Sequence, residues 1–279
     1  MQPTFGAEIG GIDLREPLTP ALRDEIRALI VKYKVVFFRD QDITREQQLA
    51  FAAQFGPPVI HPLQEKREAG RADPLPRGVH EIAPPPEEYR HKRRTWHADG
   101  SWTSPIAFAT FLRAVHIPDV GGDTIWADTA AIYAGLPDAL KARIEDLYVT
   151  HEYKELKAAN IAHPIVAHPL VINHPETGED LLYVDFIMNP WIVGWDRKDS
   201  EALLDALYEE CLRPEYQLRF KWSPGALAVW DNRSTLHTAI RDYGDFPRRM
   251  ERVVVGGTDV PYRNPERRFT LAPAAPTTA

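Results

Sequence analysis

Apolar residues recur at helical spacing in the segment 19–34, where Leu22, Ile26, Leu29, Ile30 and Tyr33 share one face. Thr19 stands at a capping position and Pro20 at the first helical one, so the pattern predicts an amphipathic helix. The run "VVFFR" that follows reads as a buried strand, and "TREQQLAFAAQFG" as a second helix opened by Thr44 and closed by Gly56. Further on the period shortens. "AFATFLRAV", "TIWAD", "HPLVI", "LLYVDF", "YQLRFKW", "ALAVWD" and "RRMERVVVGG" are short runs rich in aromatic and β-branched residues, which predict strands. Two helical stretches, "LPDALKARIEDL" and "DSEALLDALYEECL", interrupt them. The turn chemistry of "NHPETGED" predicts a hairpin joining Val171-Ile172 to Leu181-Leu182. Strands without regular strand-helix alternation point to a sandwich or jelly roll with helices packed outside, and away from a doubly wound sheet.

Two segments break the pattern. Residues 66–94 carry prolines at 74, 76, 84, 85 and 86, many charges and few aliphatic side chains, which predicts a mobile loop over whatever lies beneath. The tail 271–279 has the composition of a disordered terminus. The rest shows no internal repeat, and residues 1–279 read as a single domain of the size large β proteins reach with one core.

Composition narrows the classes. Apolar residues make up 44% and charged residues 26%, as in a soluble globular protein. No window has the apolar run of a membrane span, and "MQPTFGAEIG" lacks the regions of a signal peptide. Cys211 is the single cysteine, so no intrachain disulfide is possible; the expectation is a cytoplasmic protein that does not engage membranes. A net charge of −7 argues against nucleic acid as a partner, while leaving room for a local cationic pocket.

Such a pocket is suggested by two stretches. In "TWHADGSW" an extended backbone would project His97 and Asp99 to one face, half of a metal site. Taken alone, the triplet reads more readily as a hydrogen-bonded core histidine beside a carboxylate than as a pair of ligands. In "WDNRSTLHTAIRDYGDFPRRMERVVVGG" a strand ending at Asp231 is followed by His237, and then by a strand on which Arg248 and Arg252 share a side. Each arginine could be a surface ion pair; as a couple beside a histidine they form an anion receptor, since the guanidinium fork matches carboxylates and related oxyanions. Two histidines and one carboxylate on one face of a metal leave adjacent positions open, the arrangement of non-haem Fe(II) oxygenases.

Several spaced motifs occur together in order: "GAEIGGIDLREPL", "KVVFFRDQDIT", "WHADGSW", "GGDTIWAD", "HPETGE", "WDNRSTLH" and the terminal arginine strand. With these motifs the chain resembles, over nearly its whole length, the taurine dioxygenase family of Fe(II)- and 2-oxoglutarate-dependent oxygenases, which includes taurine, alkylsulfate and 2,4-dichlorophenoxyacetate dioxygenases. The resemblance implies a mainly β fold with flanking helices around a double-stranded β-helix (jelly roll) core. It makes His97, Asp99 and His237 the catalytic iron ligands, and Thr124 and Arg248 the residues holding the far carboxylate of 2-oxoglutarate. Arg252 matches a position facing the co-substrate or the substrate's acidic group. His61 matches a histidine that contacts the sulfonate in taurine dioxygenases, although a histidine before a proline could equally be structural. Trp230, Asp231, Asn232 and Arg233 would shape the loop presenting His237. The implied reaction consumes O2 and 2-oxoglutarate, releases succinate and CO2, and hydroxylates a small anionic organic substrate such as an alkylsulfonate, alkylsulfate or carboxylate; Asp99 favours hydroxylation over halogenation. Relatives commonly form dimers or tetramers, so a homo-oligomer is expected. A non-catalytic 2-oxo-acid-binding module on the same fold, a dioxygenase for an unrelated carboxylate and a metal-assisted sulfate-ester hydrolase are the alternatives.

The chain departs from the taurine pattern where substrate should sit. Lys92-Arg93-Arg94-Thr95 stands where taurine enzymes carry acidic and amide residues, which disfavours a free amine, and the segment 148–168 looks shorter. The cluster "RHKRR" could attract an anion or be a solvated charge run. Trp102, Phe186, Met188 and Trp191 could line an apolar pocket or belong to the core.

Overall fold

The computed structural model describes residues 1, 4–82 and 94–263. In chain order the elements begin β1 (Ala7–Glu8), α1 (Pro20–Tyr33), β2 (Val35–Phe38), α2 (Arg45–Ala53), α3 (Gln64–Glu68) and β3 (Val79–Ile82). The middle holds β4 (Ala107–His116), β5 (Thr124–Asp128), α4 (Thr129–Gly135), α5 (Asp138–Ile144), β6 (Tyr148–His151), α6 (Lys154–Ala158), β7 (Val166–Pro169), β8 (Val171–Asn173) and β9 (Asp180–Leu182). α7 (Arg197–Cys211), β10 (Gln217–Phe220), β11 (Leu227–Asp231), β12 (Thr235–Ala239) and β13 (Arg249–Gly256) complete the set.

Local chemistry explains the first helices. The Thr19 hydroxyl accepts the Leu22 N–H, and α1 ends at Lys34, whose positive φ lets its own N–H reach the Ile30 carbonyl at 2.7 Å. α2 carries a capping box: the Gln47 N–H donates to the Thr44 hydroxyl at 3.2 Å, and the Gln47 side chain accepts the Thr44 N–H at 2.8 Å. Gly56 does not close α2, contrary to the expectation. The helix stops at Ala53, and Gly56 serves a close approach instead, because a Cβ there would lie 2.9 Å from the Gly256 carbonyl oxygen.

Among the described residues the strands form a six-stranded sheet in the order β1-β2-β11-β4-β13-β3, a three-stranded sheet β10-β5-β12 and two hairpins, β6-β7 and β8-β9. The expected hairpin at "NHPETGED" is β8-β9, with Val171 opposite Leu182 and Ile172 opposite Leu181. Strands of the large sheet are apolar on both faces because each face meets its own core. Val36, Phe38, Phe111, Val229, Val253 and Val255 pack under α1 and α2. Phe37, Trp230 and Met250, one residue away in parity, meet Trp126, Phe220 and Trp222 of the small sheet and the turn after it. The Trp126 and Trp230 rings sit edge to face at 5.4 Å, and Phe37 stacks on Phe220 at 4.0 Å. The outer face of the small sheet is covered by α4, α7 and the β8-β9 hairpin through Ile132, Leu203, Leu207 and Leu182. The molecule is thus mainly β with helices outside.

The segment 66–94 differs from the expected loop. Its first residues finish α3, and Val79–Ile82 is an edge strand pairing with β13, His80 opposite Arg252. A four-residue edge strand among prolines has too little apolar repetition to show in composition; pairing with β13 creates it. Residues 83–93 and the tail 271–279 lie outside the described residues.

Candidate active site

The site lies between the two sheets, where the inner core turns polar. Strand β12 sends His237 inward beside its register partner Trp126 and against the Trp230 ring at 4.7 Å. His97 joins β12 by a single antiparallel bridge, its N–H donating to the His237 carbonyl at 3.1 Å and its carbonyl accepting in return at 2.9 Å. The extended strand expected from His97 to Asp99 is reduced to that bridge. A turn at Asp99-Gly100 follows, with Gly100 at φ +73°, where a Cβ would collide with Ala107 Cβ at 2.6 Å. The turn nevertheless returns Asp99 to the histidines. One donor atom each from His97, Asp99 and His237 lies within 4.8 Å of the others, and the rings of His97 and His237 are 4.1 Å apart.

Neighbouring groups orient these three. His97 Nδ1 donates to the Thr95 carbonyl at 3.0 Å, which fixes the tautomer and leaves Nε2 as a lone-pair donor. The Thr110 hydroxyl donates to Asp99 Oδ2 at 2.9 Å and accepts from Asn232 Nδ2 at 2.9 Å. Behind the turn, buried Asp185 accepts the Ala98 N–H at 3.2 Å, the Ser101 hydroxyl at 2.8 Å and the Ile187 N–H at 3.0 Å. Burial pushes the Asp99 carboxyl up, but Arg252, His237, His97 and the Thr110 hydrogen bond outweigh it and hold Asp99 at about 2. Burial, then the neighbouring His97, keeps His237 well below its ordinary range, hence neutral. A neutral His237 imidazole and an ionised Asp99, with His97 Nδ1 committed to the Thr95 carbonyl, fit a divalent transition metal. Among the described residues this is the one such cluster.

Beside the triad opens a cavity of about 160 Å³, lined by Val59, His61, His80, Trp102, Tyr153, Ile187, Met188, Arg252 and Val254 among others. Arg252 Nη1 donates to Asp99 Oδ1. Burial and nearby cationic groups lower His61 to about 3 and His80 to about 4, so both rings are neutral near pH 7.

Residues 1–254 match the model of the taurine catabolism dioxygenase TauD, TfdA family. The chain belongs to this family. An alkylsulfatase from Acinetobacter baylyi is 34% identical over 271 residues, covering 91% of this chain and 82% of that protein. An alpha-ketoglutarate-dependent sulfate ester dioxygenase from Pseudomonas putida is also 34% identical, over 91% of this chain and 87% of its own. The crystal structure of a taurine dioxygenase from Burkholderia xenovorans superposes with a TM-score of 0.79 at 38% identity, covering 95% of this chain and 90% of that one.

Within this TauD/TfdA-family chain the other expected residues fall at two places. His61 and Arg252 line the cavity with Trp102 and Met188. Thr124 and Arg248 do not line it. Arg248 precedes β13, is buried, and donates from Nε to the Gly122 carbonyl at 3.0 Å, while the Thr124 hydroxyl accepts from Trp222 Nε1 at 3.0 Å. Arg94 is no part of an anion pocket, because Asp205 and Glu201 of α7 take its guanidinium; Arg90–Arg93 lie outside the described residues. Phe186 is core, against Tyr208, and Trp191 donates to the Trp195 carbonyl beneath Arg197. Asn232 bonds to Thr110 and so bears on Asp99 rather than on the loop of His237, and Asp231 with Arg233 forms a buried pair tied to His174 and Glu176. Thr110, Asp185, His80 and Tyr153 also belong to the site, although no motif in the sequence marks them. The hydroxyl of Thr110 inside the apolar run "AFATFLRAV" and the carboxylate ending "LLYVD" were the available signals; His80 and Tyr153 offered none.

Proposed function

We propose that the chain is an Fe(II)- and 2-oxoglutarate-dependent dioxygenase that hydroxylates a small organic anion, and that its two larger sheets are the halves of a jelly roll. The observation that carries this is the convergence of His97, Asp99 and His237, residues far apart in the sequence, with donor atoms within 4.8 Å. These three would hold the iron. Bound iron, with 2-oxoglutarate and O2, supplies oxidative decarboxylation to succinate and CO2 coupled to C–H hydroxylation.

The remaining work falls to the protein. Thr95 fixes the His97 tautomer, and Thr110 with Asn232 keeps Asp99 aimed at the histidines. Arg248 is buried with no carboxylate at ion-pair distance among the described residues, which suits it to the far carboxylate of 2-oxoglutarate beside Thr124. Arg252 supplies the fixed positive charge of the substrate cavity, and Trp102, Met188 and Val254 supply apolar walls. Among the described residues no free carboxylate faces a substrate ammonium there: Asp99 is held by Arg252, and Glu155 by Arg67. An anion with an apolar tail and no amine follows. The names of the relatives, an alkylsulfatase and a sulfate ester dioxygenase, support an alkylsulfate-like substrate. When the hydroxylated carbon bears a sulfate oxygen, the product collapses to an aldehyde and free sulfate.

The test is incubation with Fe(II), 2-oxoglutarate and O2 against a panel of alkylsulfates, alkylsulfonates and aryloxyalkanoates. Succinate should form in step with consumption of at least one anion and stop when O2 is removed. Sulfate release that continues without O2 would mean metal-assisted hydrolysis and overturn the reading.

A further inference from the structure

We propose that Tyr153 is a specificity-determining residue of the substrate cavity: it takes the single N–H of His61 and so leaves Arg252 to read the anion's charge. The inference rests on the dioxygenase reading above and deepens it.

His61 Nδ1 accepts the Leu63 N–H at 3.1 Å, so the hydrogen of the neutral ring is on Nε2. Nε2 lies 3.1 Å from the Tyr153 hydroxyl oxygen and donates to it. Tyr153 passes its own hydrogen to Glu155 Oε2 at 3.0 Å, and the same oxygen accepts from Arg67 at 2.9 Å. The chain is directional: His61 to Tyr153 to Glu155, with Arg67 closing it. A phenol that donates to a carboxylate becomes a better acceptor at its oxygen, so Glu155 strengthens the hold of Tyr153 on His61. Packing fixes the ring as well, with Tyr153 edge-on to His61 at 5.5 Å and tilted on Trp102 at 5.4 Å. Burial, Arg67, His80 and Arg252 keep His61 neutral, at about 3, so no second N–H appears near pH 7.

Consequently His61 faces the cavity without a hydrogen to give. The sulfonate contact that the family resemblance assigns to His61 is withheld here, and Tyr153, on the short segment opening α6, is the residue that withholds it. Removing the phenol hydroxyl frees one N–H beside Arg252 and adds an anion donor to the cavity.

A double-mutant cycle of Tyr153→Phe and His61→Ala tests this in two ways. The first needs no substrate: in 15N-labelled protein, histidine ring spectra should show the His61 hydrogen on Nε2, with a resonance that moves in Y153F. The second uses hexyl sulfate as probe, with succinate as readout in the iron- and 2-oxoglutarate-loaded enzyme. KM should fall about tenfold in Y153F, the size of one hydrogen bond to a charged group. That gain should vanish in the double variant, while His61→Ala alone should raise KM by less than threefold. Fe(II) affinity should be the same in all four proteins, which separates a cavity effect from damage to the metal site. A His61 hydrogen on Nδ1, an unmoved KM in Y153F, or a tenfold rise in KM from His61→Ala alone each overturns the proposal. If the wild type makes no succinate from the probe, that counts against the substrate reading alone, and the ring spectra still decide the role of Tyr153.

Discussion

Thr110 shows how much a single hydroxyl can do at a buried strand position. It donates to Asp99 and accepts from Asn232, so it both orients the carboxylate and satisfies an amide with no access to water. Thr110→Val keeps the shape and removes both bonds. Groups that orient metal ligands in this manner are worth roughly 10- to 100-fold in metal affinity. An anaerobic Fe(II) titration of the valine variant should show a loss of that size, together with about 1–3 kcal/mol of stability from the unpaired Asn232 amide. An iron affinity equal to wild type would make Thr110 a packing residue only. Asp185 works at one remove, tying the turn that carries Asp99 to Ile187 of the cavity wall through three accepted hydrogen bonds.

At the scale of elements, the segment just past α2 runs so close to the end of β13 that Gly56 has no room for a side chain, its Cα facing the Gly256 carbonyl. Gly56→Ala should force this segment and the strand apart at a cost of about 1–3 kcal/mol, read as a lower urea midpoint with an unchanged m-value. An unchanged midpoint would show that the contact relaxes freely. The same glycine marks where the sequence is legible and where it is not. Thr19, Pro20, Thr44 and Gln47 announce α1 and α2 because capping is local chemistry, and the apolar runs from Ala107 to Gly256 announce most strands because both faces are buried. Gly56 was misread as a cap because close approach to a residue two hundred positions away leaves no local trace. Strand β3 was hidden for the same reason: its order comes from β13. The site follows suit. His97, Asp99 and His237 were readable through motif spacing, but the tautomer set by Thr95, the pairing of Arg94 with α7 and the His61–Tyr153 chain depend on folds of the backbone that no window contains.

At the scale of the whole molecule, burial holds His61, His80, His151, His168 and His237 neutral, and acid should expose this. Burial is the first cause in each case: it lowers His61 to about 3, His80 and His168 to about 4, and His151 and His237 well below 6.5. Unfolded, these rings titrate near 6.5. Between pH 6.5 and 4 the unfolded metal-free chain therefore binds protons that the folded one refuses, and stability falls as pH falls through that window. Asp99, held at about 2 against 3.8 when unfolded, adds a further loss below pH 4. Asp185, raised to about 6 by burial, opposes the trend between 6 and 3.8 because its folded form takes up the proton first; one carboxyl does not cancel several imidazoles. The Tm of the metal-free protein should drop steadily from pH 7 to pH 4.5. It should drop less in His151→Phe, which replaces a ring whose two nitrogens have no partner among the described residues. A Tm that is level across this range would contradict the account.

The same burial makes the metal site a property of the folded whole, since its ligands come together only when β12 bridges the His97 turn. The most direct measurement is anaerobic addition of Fe(II) to the protein with 2-oxoglutarate, followed in the visible. A weak charge-transfer band saturating at one iron per chain is expected for the wild type, and its absence for His237→Ala and His97→Ala. A band of full intensity in either variant would show that these imidazoles do not share a metal.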